Sequence, residues 1–321
     1  MNIARALQKV VPPLPRRHAC VILKKATEHD KKGGCGMDYQ SGRQQGSDYI
    51  LQGVKHFDLE AILTCGQAFR WDKTGPCSYR GVAFGLCREI TQQEDSVIFR
   101  GVSADEFEAV WFNYFDFGRN YGDIKRVFAG HKHLNEAVQH APGIRVLRQD
   151  CWEALGSFIF SANNNIPRIK GMVARLCEAL GEKTPGGYAF PAPQRLAGLA
   201  PDDLAAVRCG FRAGYIIDAA RAVTDGRVEL NALRTLPLAQ AMAMLQKVKG
   251  VGPKVANCTL LFGAGRVDCL PVDVWIARAL EAWFPQGLPQ ELRPFAGIAQ
   301  QYLFHYARVS PALRREQLSP V

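Results

Sequence analysis

Lys254 and Asp273 lie 19 residues apart in the stretch KGVGPKVANCTLLFGAGRVDCLPVDVW (249–275). Of all the residues in the chain they are the best placed to carry covalent chemistry. Lys254 follows Pro253 and so falls in the first turn of a helix, where the helix dipole is already positive. That field, with burial, disfavours an ammonium there, and a neutral amine is a nucleophile. Asp273 precedes the helical VWIARAL, an N-cap setting in which helix N–H groups keep a carboxylate ionised. An ionised carboxylate beside a reacting carbon can stabilise developing positive charge or help deprotonate the amine. The spacing is one helix plus a return loop, a span that can bring both residues to one cleft. Each also has a plainer reading: Lys254 as a phosphate contact, Asp273 as a cap.

The element that presents the lysine is a glycine hairpin. QKVKGVGPKVA sets Gly250-Val251-Gly252 between a helix end and a helix start. Glycines permit positive φ and a tight turn. Without β-carbons the backbone N–H groups can come close to a phosphate, and the helix that follows favours the anion. Val251 can pack back against the helix pair. The spacing is not that of a Walker loop, and no strand precedes the turn as a dinucleotide fingerprint requires. A lone GxG is more simply a capped turn between helices.

From Asp150 onward the chain reads as nearly all helix, in segments such as CWEALGSFIFSANNN, PDDLAAVRCG, RAGYIIDAARAV and FAGIAQQYLFHYA. Pro167 can start one of these helices and Gly181 can end it. From Tyr49 to about Phe117 the pattern is mainly β. AFRWDK, SYRGVAFGLCREI and SVIFRG alternate roughly and are separated by turn sequences, after which Ser103 can cap ADEFEAVWFNYF.

The hairpin, the lysine directly after it and the PVD turn together resemble the helix-hairpin-helix DNA glycosylase superfamily. The likeness extends to GQAFRW (66–71), SANNNIPRIKGMVARLC (161–177), FRAGY (211–215), GVGPKVANC (250–258), PVDVW (271–275) and AGIAQQYLF (296–304). In this order they resemble the 8-oxoguanine DNA glycosylase/AP lyases, over roughly Tyr49 to Arg308.

The resemblance implies that Lys254 attacks C1′ of a deoxyribose, displaces the base and leaves a Schiff base that permits β-elimination. Asp273 is then the carboxylate that stabilises the charge. The carbonyl of Gly66 accepts from N7–H of the lesion, where guanine has only an acceptor. Phe304 and Cys258 sandwich the flipped base, and Gln300 bonds its Watson–Crick edge. Asn163 enters the gap left by the nucleotide. Arg168 and Arg212 bond the estranged cytosine, whose N3 and O2 are acceptors suited to a pure donor. Gly250, Val251 and Gly252 hold the DNA backbone. Two positions depart from the family pattern. Phe211 stands where many relatives carry a tyrosine wedge. Trp275 stands where animal relatives carry a histidine associated with phosphate contact, which is consistent with a bacterial-type branch.

Two other readings compete. A related glycosylase for another base is one. Iron–sulfur members need a four-cysteine cluster after the aspartate, however, and no cysteine follows Cys269; alkylated-base enzymes lack the hairpin lysine. A non-enzymatic helix-hairpin-helix DNA-binding module is the other. It leaves Asp273, Gly66 and the Gln300/Phe304 pair without a purpose.

The expected fold class is α+β. An N-terminal antiparallel β-sheet domain with helices spans 48–147, a mostly α-helical helix-hairpin-helix glycosylase domain spans 148–310, and a short tail follows at 311–321. Residues 1–47 are basic, carry PPLPRR and KKGGCG, and read as a disordered extension, with Met37 as an alternative start.

Net charge is +10, of which the first 36 residues carry +6, so the body is only modestly basic. That is compatible with a polyanion partner and equally with an ordinary enzyme. The ten cysteines form no CxxC pair, which suggests a reducing compartment. No apolar run is long enough for a membrane span. The expected partner is double-stranded DNA containing 8-oxoguanine opposite cytosine, bound by a monomer. The setting is cytoplasmic and nucleoid-associated in a bacterium, or nuclear or mitochondrial in a eukaryote. No cofactor, no bound metal and no iron–sulfur cluster are expected, although a monovalent or divalent cation can bridge the hairpin to a phosphate.

Overall fold

The computed structural model describes residues 37–310, Leu313 and the backbone of Lys31–Lys32. The alternating segments build one antiparallel sheet from β1 (Lys31–Lys32), β2 (Ser41–Gln45), β3 (Asp48–Gln52), β4 (Trp71–Gly75), β5 (Ser78–Ala83), β6 (Leu86–Gln93) and β7 (Ser96–Arg100). Their spatial order is β1-β2-β3-β7-β6-β5-β4. The register of β5 on β6 pairs Tyr79 with Ile90, and both are buried. The inward residues pack on the Ala104–Tyr114 helix, whose middle turn, Phe107–Trp111, is π-helical. Ser103 caps this helix by accepting from the Glu106 N–H at 3.1 Å. Trp71 donates its indole N–H to the Tyr114 hydroxyl at 2.7 Å, which satisfies the one polar atom of a buried ring.

The structure corrects the boundary of the extension. Order begins before residue 48: Ser41–Gln45 pairs with Asp48–Gln52 around a turn containing Gly46 at φ +60°. Ahead of that hairpin, the Asp38 carboxylate is buried against the fully buried Arg145 at 2.9 Å, and Tyr39 packs edge-on against Phe117. The rest of the expected extension, and the tail at 311–321 apart from Leu313, lie outside the described residues.

Two short elements were not expected. Within the β region, Leu59–Thr64 is a helix capped by Asp58, which accepts from the Ala61 N–H at 2.9 Å. Within the helical region, Lys183–Thr184 pairs with Gly187–Tyr188 in a small hairpin. PDDLAAVRCG forms a 3-10 helix over Pro201–Val207 rather than an α-helix, ended by Arg208 in the left-handed region.

At the centre of the helical half is Cys151–Phe160, buried along its whole length, with its one charge, Glu153, paired to Arg70 at 3.1 Å. The hairpin helix, Pro253–Phe262, packs directly against it. The core of this half also takes in Phe69, Tyr121, Ile124, Phe128 and Leu134 from the N-terminal half. The sheet keeps a core of its own, built on Leu51, Trp71, Ile90, Phe99 and Trp111, so the N-terminal half contributes to two separate hydrophobic clusters. No helix among the described residues is long and apolar enough to cross a membrane.

Candidate active site

The hairpin forms as its glycines suggest, but the two glycines act differently. Leu238–Gln246 and Pro253–Phe262 flank it. Gly250 adopts φ +82°, and a β-carbon there would sit 2.2 Å from the Tyr215 ring. It is therefore required both for the turn and for packing. Gly252 has φ −86°, which any residue can adopt, and no atom within 4 Å of a β-carbon placed on it. Its use is the open approach it leaves to the helix N-terminus. Val251 is buried in the core, as expected, so only its backbone is available outward. The turn is tied down by the Lys249 N–H, which donates to Asp218 Oδ2 at 2.8 Å.

Lys254 and Asp273 reach the same cleft. Asp273 caps Val274–Trp283, with Oδ1 accepting from the N–H groups of Trp275 at 3.1 Å and Ile276 at 2.9 Å. Asn257 links the hairpin helix to the return loop that carries Asp273. Its amide donates to Pro253 O at 2.9 Å, and its Oδ1 accepts from the Leu270 N–H at 3.2 Å. Lys254 Nζ bonds Ser161 Oγ at 2.7 Å and stands 5.4 Å from the Phe158 ring centroid. Ser161 is the C-cap of Cys151–Phe160. The lysine thus sits at the positive end of its own helix and faces the carbonyl end of another, an opposing field invisible in the local sequence.

Gly66, Cys258, Gln300 and Phe304 line this cleft with Lys254 and Asp273. Gly66 has φ +84° and belongs to the N-terminal half, so its place in a cleft of the helical half is a tertiary result. Gln300 is 5% exposed and its Oε1 is buried without a partner, an acceptor left for something entering the cleft. Gln300 and Phe304 share one face of Ala296–Ala307. Cys258, one turn beyond Lys254, is buried. Its thiol is pushed up to about 11 chiefly by desolvation, with Lys254 lowering it and Asp273 raising it.

The remaining predicted residues form an outer rim. The three asparagines of SANNNIPRI do three tasks. Asn163 is exposed at φ 48°, Asn164 donates to Phe160 O at 2.9 Å, and Asn165 N-caps Ile166–Leu180 by accepting from the Arg168 N–H at 3.1 Å. Arg168 is exposed. Phe211, 59% exposed, is the most prominent aromatic ring on the described surface. Arg212 is not a free surface arginine. It is 6% exposed and bonds Ala162 O and Asn163 O, both at 2.9 Å, so it braces the loop carrying Asn163. Burial, with the charge of Arg168, lowers the proton affinity of its guanidinium. Trp275 is half-buried beside Ala279, Ala307 and Leu313, with the Arg278 guanidinium 5.6 Å from its ring. It fills a packing site.

Sequence reasoning missed Phe158, Phe262, Pro271 and Gln301, which also line the cleft, and Ser161, which touches the amine. Phe158 and Phe262 stack at 5.2 Å, and in sequence both read as ordinary core residues. Pro271 was read only as part of the turn before Asp273. The place of Gln301 depends on a contact from the other half, to Cys65 O at 3.0 Å.

A glycine hairpin that brings a lysine to the same cleft as an N-capping aspartate is the arrangement of the helix-hairpin-helix DNA glycosylases. Residues 157–290 match the model of the HhH-GPD superfamily of base excision DNA repair proteins, and residues 50–155 match the 8-oxoguanine DNA glycosylase N-terminal domain. The chain belongs to the 8-oxoguanine DNA glycosylase/lyase family. It is 33% identical over 240 residues to an N-glycosylase/DNA lyase of Arabidopsis thaliana, covering 69% of this chain. It is 38% identical over 253 residues to an N-glycosylase/DNA lyase of Saccharomyces cerevisiae, covering 68% of this chain. The chain spans 66% of the length of each. The solved 8-oxoguanine glycosylase/lyase of Clostridium acetobutylicum, in complex with double-stranded DNA containing cytosine opposite 8-oxoguanine, matches with a TM-score of 0.79 and 34% identity. That match covers 85% of this chain and 99% of that one.

Proposed function

We propose that the protein excises 8-oxoguanine from double-stranded DNA and then nicks the strand as an AP lyase. One observation carries this reading: Lys254 and Asp273 converge on a cleft that also holds Gly66, Cys258, Gln300 and Phe304. Phe211 and Asn163 occupy the space left when the nucleotide swings out, and the base enters between Cys258 and Phe304. The unpaired Gln300 Oε1 accepts from the N–H donors of its Watson–Crick edge, and the Gly66 carbonyl accepts from N7–H. Arg168, together with Arg212 through the loop it braces, favours cytosine opposite.

In the chemical step the Lys254 Nζ–C1′ bond forms as the bond from C1′ to the base breaks. The base departs with the bonding pair and gains a proton. Asp273 stabilises the positive charge on the sugar as the base leaves. Ring opening gives the Schiff base, and loss of a 2′ proton then expels the 3′ phosphate.

Borohydride trapping on a duplex with one 8-oxoguanine tests this. Wild type should give a covalent complex and Lys254→Gln none. An active wild type that never traps overturns the Schiff-base route.

A further inference from the structure

Ser161 touches the reactive amine, and none of the roles above gives it a task. Its hydroxyl donates to Phe158 O at 2.6 Å and lies 2.7 Å from Lys254 Nζ. A serine hydroxyl has one proton. With that proton directed at the Phe158 carbonyl, the oxygen can only accept, so the bond with Lys254 runs from N–H to Oγ. For a nucleophile this polarity matters. A hydroxyl donating to the amine would occupy the lone pair that must reach carbon. A hydroxyl that accepts leaves the lone pair unengaged and restricts the directions in which it can point.

The arrangement is built into the fold. Ser161 caps a fully buried helix, and its own N–H bonds Ser157 O at 3.2 Å and Phe158 O at 3.1 Å. Phe158 lies three residues earlier on the same helix face and offers its ring to the same amine at 5.4 Å. The side chain of Lys254 is therefore bracketed by one hydroxyl and one ring from a single rigid element.

We propose that Ser161 is a positioning residue for the nucleophile, fixing the Lys254 amine by accepting one N–H so that its lone pair stays available to the incoming sugar carbon. This rests on the lysine Schiff-base reading above.

The test measures single-turnover excision, borohydride trapping rate and Kd for a lesion duplex in four proteins: wild type, Ser161→Ala, Ser161→Thr and Ser161→Val. Loss of a hydrogen bond to a charged or reacting group predicts that Ser161→Ala slows excision and trapping about tenfold or more. Its Kd should stay within about twofold of wild type, since Ser161 acts on the amine and not on DNA. Threonine keeps the hydroxyl and should restore most of the rate; valine, of the same shape without it, should not. Equal rates in Ser161→Ala and wild type overturn the proposal. So do matched behaviour of the Thr and Val variants, or a loss confined to Kd. Failure of wild type to trap brings down the Schiff-base reading itself, whereas a trapping wild type with an equally fast Ser161→Ala brings down only the positioning role.

Discussion

Asp273→Asn separates the cap that the carboxylate provides from the charge stabilisation proposed for it. Both backbone bonds go to a single oxygen, Oδ1, from Trp275 at 3.1 Å and Ile276 at 2.9 Å. Asparagine presents the same oxygen, and Asn and Asp are near-equal N-caps. The cap therefore survives and the charge is lost. Removing a carboxylate from a helix N-terminus costs about 0.3–1 kcal/mol. At about 2–4 °C per kcal/mol for a domain of this size, Tm should fall by less than about 4 °C. The kinetic effect is on another scale. A unit charge about 5 Å from a developing cation, at an effective dielectric constant of about 20, contributes about 3 kcal/mol. Its loss slows the chemical step on the order of 10²–10³-fold.

The assay is single-turnover excision with enzyme in excess, beside lesion Kd and thermal melting on the same preparations. Kd should change by no more than a few-fold. Asp273→Ala serves as the control for the cap, since it removes the acceptor as well and should melt about 1 kcal/mol lower than Asp273→Asn. Wild-type excision by Asp273→Asn would refute the charge argument outright. A large fall in Tm, with Kd rising in step, would reduce Asp273 to a structural cap.

Three further outcomes follow from the geometry. Gly66→Ala places a residue at φ +84°, strained by about 1–2 kcal/mol, with its β-carbon 3.1 Å from Ile166 Cδ1 and 3.4 Å from Phe304 Cε1. Lesion excision should fall more than Tm, and unchanged discrimination between 8-oxoguanine and guanine would sink the N7 argument. Gly250→Ala should destabilise the fold, because its β-carbon meets the Tyr215 ring, whereas Gly252→Ala should melt normally yet weaken DNA binding; equal behaviour in melting and filter binding would contradict this division. Cys258, pushed up to about 11 by burial, should resist iodoacetamide at pH 8 while exposed Cys77 reacts, as peptide mass spectrometry can read; the opposite order would show that the cleft opens widely in solution.

The hairpin, Lys254 and Asp273 were legible in the sequence because the signals are local. Glycines mark the turn, proline marks the helix start, and the capping aspartate precedes its own helix. Gly66, Cys258, Gln300 and Phe304 were legible only through family resemblance, since nothing in their spacing shows that they share a cleft. Other features had no local signal at all. SGRQQ has almost no apolar alternation, and it forms a strand because it pairs with DYILQ while facing solvent over most of its length. Arg145 reads as a surface charge, yet it is fully buried, with its donors spent on Asp38 and on the carbonyls of Phe115, His56, Asp116 and Arg119. The distance from Ser161 to Lys254 spans 93 positions of chain, and no pattern in either segment points to the other.

The cleft joins residues that come from different halves of the chain. Gly66, to which the proposed function gives the lesion base, belongs to the sheet-bearing half, and Lys254, to which it gives the sugar, belongs to the hairpin. Glutamine amides set the distance between them. Gln301 donates to Cys65 O at 3.0 Å and Gln149 to Gln67 O at 2.6 Å, bonding the residues on either side of Gly66 to the helical half. Gln67 in turn donates to Ile62 O and Arg145 O and accepts from the Leu147 N–H. Gln67 is fully buried with both ends of its amide bonded, so this clamp resists displacement: moving Gly66 would leave several buried polar groups unpaired at once. On the proposed reading this one carbonyl tells a donor from an acceptor at N7, a task that needs its position fixed to within about 0.5 Å. A flexible loop on the rim would not hold it there, and a network of buried amides does.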